Sequence, residues 1–318
     1  MDDMTISAIL NASSQLQADQ IMSIKNDENR RTNPAEAMIQ FRTCEAWPDA
    51  KYYLALPETL NQNTPVLVSV HGISRNAREH AQTFARYCNS LGWAVVAPLF
   101  TSSRFPRYQQ LGFARKGSHP RSDMALNAIL DDVTELTGTC TDRVYMFGYS
   151  GGGQFVHRYA MTTPHRVIAA VLGAPGWFTF PNQGVPFPRG LRVNAHQDGL
   201  QLDWQCALDI PTAVFVGAQD LDRDESLNTA QKIDDQQGRT RPERGRRWSA
   251  AMRAAARFHG LDTRHEFCEL EGCGHSFADC ISIGRLDVRA LDFLIRARIP
   301  ATTLAAQRRH TSSLSFLA

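Results

Sequence analysis

The chain has 318 residues, of which 43% are hydrophobic and 21% charged, and its formal net charge is +2. That apolar content excludes general disorder, and the near balance of charge gives no overall field for nucleic acid or another polyanion. The cations are four lysines and thirty arginines, spread so evenly that no function is read from them.

Residues 1–35 are rich in Gln, Asn, Asp and Ser up to the break at Asn33-Pro34 and read as an N-terminal arm. Met1-Asp2-Asp3-Met4 carries acids where a secretory leader carries Lys or Arg, and no apolar run follows. No stretch approaches the roughly 20 apolar residues that cross a bilayer. The polar tail 301–318 mirrors the arm, so one domain is expected over 36–300. Its seven cysteines lack a Cys-x-x-Cys pair, which fits reduced thiols and predicts a cytoplasmic protein. A bridge between Cys273 and Cys280 stays open.

Within that span short β-branched runs predict strands at Tyr52–Leu56, Val66–Val70, Ala94–Ala97, Val144–Phe147, Val167–Leu172, Ala213–Val216 and His265–Leu270. Helical spacing recurs at 76–90, 122–137, 152–162, 243–259 and 283–298; Met124, Leu126, Ile129, Leu130 and Val133 mark one such face. Strand-helix alternation predicts an α/β fold with a mostly parallel, twisted sheet covered by helices on both faces. Ligands of such sheets bind beyond the carboxyl ends of the strands, so chemistry is sought there.

Gly148-Tyr149-Ser150-Gly151-Gly152 follows one strand directly and opens a helix. A serine in this G-x-S-x-G context sits on a tight turn that leaves no room for side chains two residues away on either side. Its hydroxyl needs a base, and His275, in the glycine-rich loop Gly272-Cys273-Gly274-His275 after the last strand, is favoured. His259 ends a helix, His265 lies in a strand and His196 is a weaker loop candidate. The acid that orients the base is expected at Asp220, a short turn beyond Ala213–Val216. Asp222 and Asp224 are its competitors, otherwise read as helix caps paired with Arg223. The oxyanion hole requires two N–H donors, for which Gly151 and Ile73, in His71-Gly72-Ile73-Ser74, are placed; His71 then supports the loop.

In this order the His-Gly pair, the serine elbow, the acid and the histidine resemble an α/β-hydrolase of the serine esterase type, over about residues 50–298. Val70-His71-Gly72-Ile73-Ser74-Arg75-Asn76 and the three glycines after Ser150 are similar to polyhydroxybutyrate-depolymerase-like and feruloyl-esterase-like hydrolases. Serine at the elbow sets the chain apart from the dehalogenase branch, with aspartate, and from dienelactone-hydrolase-like members, with cysteine. The resemblance implies ester hydrolysis through an acyl-enzyme, with no cofactor and no metal, on a small-molecule or oligomeric ester. Peptidases, thioesterases and acyltransferases of the same fold share the triad, and a scaffold without turnover that binds a ligand is the alternative of a different class.

Trp177 and Phe178, after the strand Val167–Leu172, either line an acyl pocket with Phe180 or cover the core; Tyr149 is a further candidate for substrate contact. Arg121 is expected to pair with Asp123, and the basic run Arg239–Arg247 to be a solvated face. A zinc site from Cys273, His275 and Cys280 is disfavoured, since it would consume the base and lacks paired ligand spacing. Neither a P-loop nor a dinucleotide fingerprint occurs.

Overall fold

A computed structural model describes residues 38–113, 119–195, 197 and 199–297. The arm 1–35, the tail 301–318 and His196 lie outside the described residues. Eight strands form one sheet in the order β1-β2-β4-β3-β5-β6-β7-β8. They are β1 (Gln40–Thr43), β2 (Lys51–Ala55), β3 (Val66–Val70), β4 (Ala94–Leu99), β5 (Val144–Tyr149), β6 (Val167–Gly173), β7 (Thr212–Gly217) and β8 (His265–Leu270). β1 pairs antiparallel with β2 and β2 with β4; every other pairing is parallel. β3, β5 and β7 are buried along their whole length, which is why they read as mainly apolar runs without the alternation of a half-exposed strand. β1 escapes a sequence reading because its four residues alternate between half-buried and exposed.

The helices are α1 (Ala77–Ala85), α2 (Cys88–Leu91), α3 (Ser122–Thr137), α4 (Gly151–Thr162), α5 (Trp204–Ala207), α6 (Gln231–Gln237), α7 (Arg241–Phe258), α8 (Phe277–Ser282) and α9 (Leu286–Arg296). The helix expected over 76–90 is divided into α1 and α2, and that over 283–298 begins only at Leu286, after Arg285 takes a left-handed conformation (φ 54°). On α3 the buried stripe is Ala125, Leu126, Ile129, Leu130 and Val133, whereas Met124 is exposed. Asp287 of α9 accepts from Arg86 and from the Tyr87 hydroxyl (2.5 Å), tying the ends of α1 and α9 together. On the other face, the Tyr159 hydroxyl of α4 donates to Asn127 of α3 (2.7 Å), and His157 of α4 meets the Trp248 ring of α7 edge-on. Among the described residues no helix is long and apolar enough to cross a membrane.

Candidate active site

Four strand ends converge on one edge of the sheet. Ser150 follows β5 with φ 52° and ψ −113°, a conformation that side chains rarely adopt and that only a packed turn sustains. Its neighbours show why glycines flank it: a Cβ on Gly148 would lie 2.4 Å from Gly152 O, and one on Gly152 only 2.0 Å from Val70 O. The Ser150 N–H donates to Gly173 O at 2.7 Å, which fixes the elbow to the neighbouring strand.

His275 lies five residues beyond β8 and Asp220 three beyond β7. The two ends are held together by Gln219 N–H donating to Cys273 O (2.9 Å) and by close approach at Gly217, where a Cβ would sit 2.3 Å from the same carbonyl. The Ser150 Oγ is 3.1 Å from His275 Nε2, and His275 Nδ1 is 2.7 Å from Asp220 Oδ2. An ionised carboxylate only accepts, so Nδ1 carries the proton and Nε2 is left to accept from the serine hydroxyl. Ser150 is 8% exposed and Asp220 2%. Asp222 and Asp224 stand apart from this line. Asp224 accepts from the Ser226 N–H (2.9 Å) and hydroxyl (2.6 Å), while Arg223 pairs with Asp234 at 2.7 Å instead of with either aspartate.

The loop after β3 meets the start of α4. A Cβ on Gly151 would lie 3.4 Å from the Ile73 backbone nitrogen and 2.7 Å from the Tyr108 hydroxyl, so these three groups border one small space. His71 is wholly buried and braces the loop: its Nδ1–H donates to Gly72 O (2.7 Å) and its Nε2 accepts from Phe100 N–H (3.0 Å). Burial lowers its pKa to about 4, so the ring is neutral. The Tyr108 hydroxyl donates to His71 O at 2.7 Å, which locks the same loop from the side of the segment after β4.

The expected pocket aromatics are placed differently. Phe178 has no exposed surface; it stacks on Trp248 (4.9 Å between centroids) and belongs to the core, because the Trp248 face of α7 lies directly behind it. Trp177 is nearly buried beneath the Arg158 guanidinium, 4.4 Å from its ring centre. Tyr149 lies under the histidine loop, its hydroxyl donating to His275 O (3.2 Å) and lying 3.3 Å from Cys280 Sγ. It supports the His275 loop and does not present a surface. Cys273 and Cys280 are buried free thiols, with no bridge between them.

The basic run is only in part the solvated face the sequence suggests: Arg239, Arg246 and Arg247 are exposed, but Arg241 and Arg244 are not. The capping box of Thr240 and Glu243 starts α7 at Arg241 and turns Arg241 and Arg244 inward. Arg241 donates to Asp220 Oδ1 (2.9 Å) and Ser226 Oγ (2.6 Å); Arg244 pairs with Asp234 at 2.8 Å. Asp220 therefore faces the imidazole with one oxygen and a buried guanidinium with the other. Thr240-x-x-Glu243 was the available signal, since it places Arg241 in the first turn. Arg121 does pair with Asp123, in a two-point contact of 2.8 and 2.5 Å.

No family model and no curated sequence matches the chain. Solved structures do. Poly(aspartic acid) hydrolase-1 from Sphingomonas sp. KT-1 is 22% identical with a TM-score of 0.65, covering 82% of this chain and 97% of that one. The poly(3-hydroxybutyrate) depolymerase from Bordetella parapertussis is 23% identical with a TM-score of 0.63, covering 90% and 97%. An S-formylglutathione hydrolase from Agrobacterium tumefaciens is 15% identical with a TM-score of 0.56, covering 83% and 97%. With its eight-stranded, mostly parallel sheet, the chain has the α/β-hydrolase fold.

Proposed function

We propose that this protein is a serine hydrolase that cleaves carboxylic esters through an acyl-enzyme. The observation that carries the reading is the continuous line from Ser150 Oγ to His275 Nε2 (3.1 Å) and from His275 Nδ1 to Asp220 (2.7 Å). His275 takes the serine proton as Ser150 attacks the carbonyl, and Asp220 holds the imidazole in the tautomer that can accept it. The tetrahedral oxyanion is received by the N–H groups of Ile73 and Gly151, each worth about 3 kcal/mol in the transition state. Collapse expels the alcohol, which takes the proton from His275. Water then attacks the acyl-serine with His275 again as base, and Ser150 is released with its proton restored.

Short-acyl and hydroxyalkanoate esters are our first choice of substrate, because a poly(3-hydroxybutyrate) depolymerase is among the similar structures. The test is labelling of the purified protein by a fluorophosphonate probe, beside Ser150→Ala and His275→Ala. We expect labelling of the wild type that both variants lose, and ester turnover that falls with it. A folded wild type that neither labels nor hydrolyses any ester of a panel graded by acyl length overturns the reading.

A further inference from the structure

The walls of the site differ in charge. The segment after β4, over its described residues 100–113 and 119–121, reaches the oxyanion donors through Tyr108 and contains no Asp or Glu, whereas the loop after β7 holds Asp220, Asp222, Asp224 and Glu225. Of the described cations on the first wall, Arg104 is paired with Asp49, Arg121 with Asp123, and Arg107 is exposed to solvent. Arg75, two residues beyond Ile73, has no carboxylate partner among the described residues, and neither does the fully buried Arg158 on the far side of the Tyr108–Gln110 turn.

The contacts of Arg75 leave part of its guanidinium unused. Its backbone is left-handed (φ 60°), fixed by its N–H donating to Gly72 O at 3.1 Å. Its guanidinium lies 4.5 Å over the Tyr108 ring, the ring whose hydroxyl borders Gly151. Both of its contacts to protein oxygens, Phe100 O and Phe105 O, are made by Nη1. Nε and Nη2 have no partner among the described residues and are not sealed from solvent. These two nitrogens form the edge of an arginine that receives a carboxylate with two parallel hydrogen bonds. Half-buried on an aromatic face, the group is already immobilised and partly desolvated, which strengthens such a contact.

We propose that Arg75 binds a carboxylate of the substrate, so that the preferred substrates are esters carrying an anionic group within a few atoms of the scissile carbonyl. The inference rests on the ester-hydrolase reading and names its substrate class. Arg158, buried without a counter-charge, adds to the positive potential of the same wall.

The test compares matched esters on the full chain at low ionic strength: monoethyl glutarate with ethyl pentanoate, and 4-carboxyphenyl acetate with phenyl acetate. In at least one pair the anionic ester should have kcat/KM about tenfold or more above its neutral match, as a charged hydrogen-bonded pair supplies. Arg75→Gln should reduce that ratio about tenfold whatever happens to the neutral rate, and Arg75→Lys should retain part of it. Raising salt to about 0.5 M should compress the wild-type ratio. The proposal is overturned if the neutral ester is preferred in both pairs, if the anionic preference survives Arg75→Gln, or, should that variant not fold, if salt leaves the wild-type ratio unchanged. Turnover of the neutral esters without anionic preference removes this inference alone. Absence of both turnover and fluorophosphonate labelling removes the ester-hydrolase reading with it.

Discussion

The Arg241 guanidinium and the Asp220 carboxylate meet at 2.9 Å with side chains only 1% and 0% exposed. The carboxylate that faces His275 is thus compensated from behind by the first turn of α7, and its second oxygen is fixed before the imidazole is considered. A buried carboxylate needs such a partner, since desolvation without one costs several kcal/mol. Arg241 also reaches Ser226, so one side chain fixes the acid and the loop that follows it.

Removing the guanidinium should therefore be worse than removing the pair. Arg241→Met leaves Asp220 buried and uncompensated, and we expect a loss of about 3–5 kcal/mol of stability by denaturant unfolding. The double variant Arg241→Met/Asp220→Asn should be more stable than Arg241→Met, because it no longer buries a charge. Equal or lower stability of the double variant would show that the ion pair is not what holds this corner.

Asp220→Asn alone tests a different role. The amide can donate to Nδ1 and favour the wrong imidazole tautomer, so kcat should fall by about 10⁴-fold while KM changes little. Asp222→Asn and Asp224→Asn, whose side chains do not touch His275, should each stay within about tenfold of wild type. Steady-state kinetics on one ester, with all three variants side by side, checks the assignment of the acid.

Much of this corner is legible in the amino-acid sequence, and the part that is not has a physical reason. Ser150, Asp220 and His275 each follow a recognisable strand, and glycines two residues either side of a serine are what a tight strand-to-helix turn demands. Arg241 is hidden in Arg239–Arg247, where charge density reads as solvation. Thr240-x-x-Glu243 places it in the first turn of α7, but its burial depends on the Asp220 loop docking there, which that motif does not encode. Phe178 misleads for the same kind of reason: an aromatic residue in a long loop serves pocket or core equally well until Trp248, 70 residues later, is seen stacked on it.

The elbow makes a steric prediction that needs no substrate. A methyl on Gly152 would lie 2.0 Å from Val70 O, a backbone atom of a central strand that cannot move aside, while one on Gly274 meets nothing within 4 Å. Gly152→Ala should lose about 3 kcal/mol or more, or fail to fold. Gly274→Ala should unfold within about 0.5 kcal/mol of wild type. Thermal unfolding of the two variants distinguishes a required close approach from a loop glycine without one.

Four buried histidines give the fold an acid limit. Burial lowers His71 and His265 to about 4 and holds His80 and His157 well below the ordinary imidazole value. Their folded forms stay neutral while the unfolded chain takes up a proton on each below about pH 6.5. Their contribution is therefore fully present above that pH and is lost progressively as pH falls below it, at up to about 1.4 kcal/mol per pH unit for each histidine. His80 is the one to vary, since its ring stacks on Phe277 at 4.3 Å and its Nδ1 lies 3.0 Å from the Ser69 hydroxyl, and it hydrogen-bonds neither Ser150 nor His275. His80→Gln should cost stability at pH 7 but flatten the decline between pH 6.5 and 5 by about one proton. Denaturant unfolding across that range measures the slope directly; an unchanged slope in His80→Gln would mean that His80 titrates alike in the folded and unfolded chain.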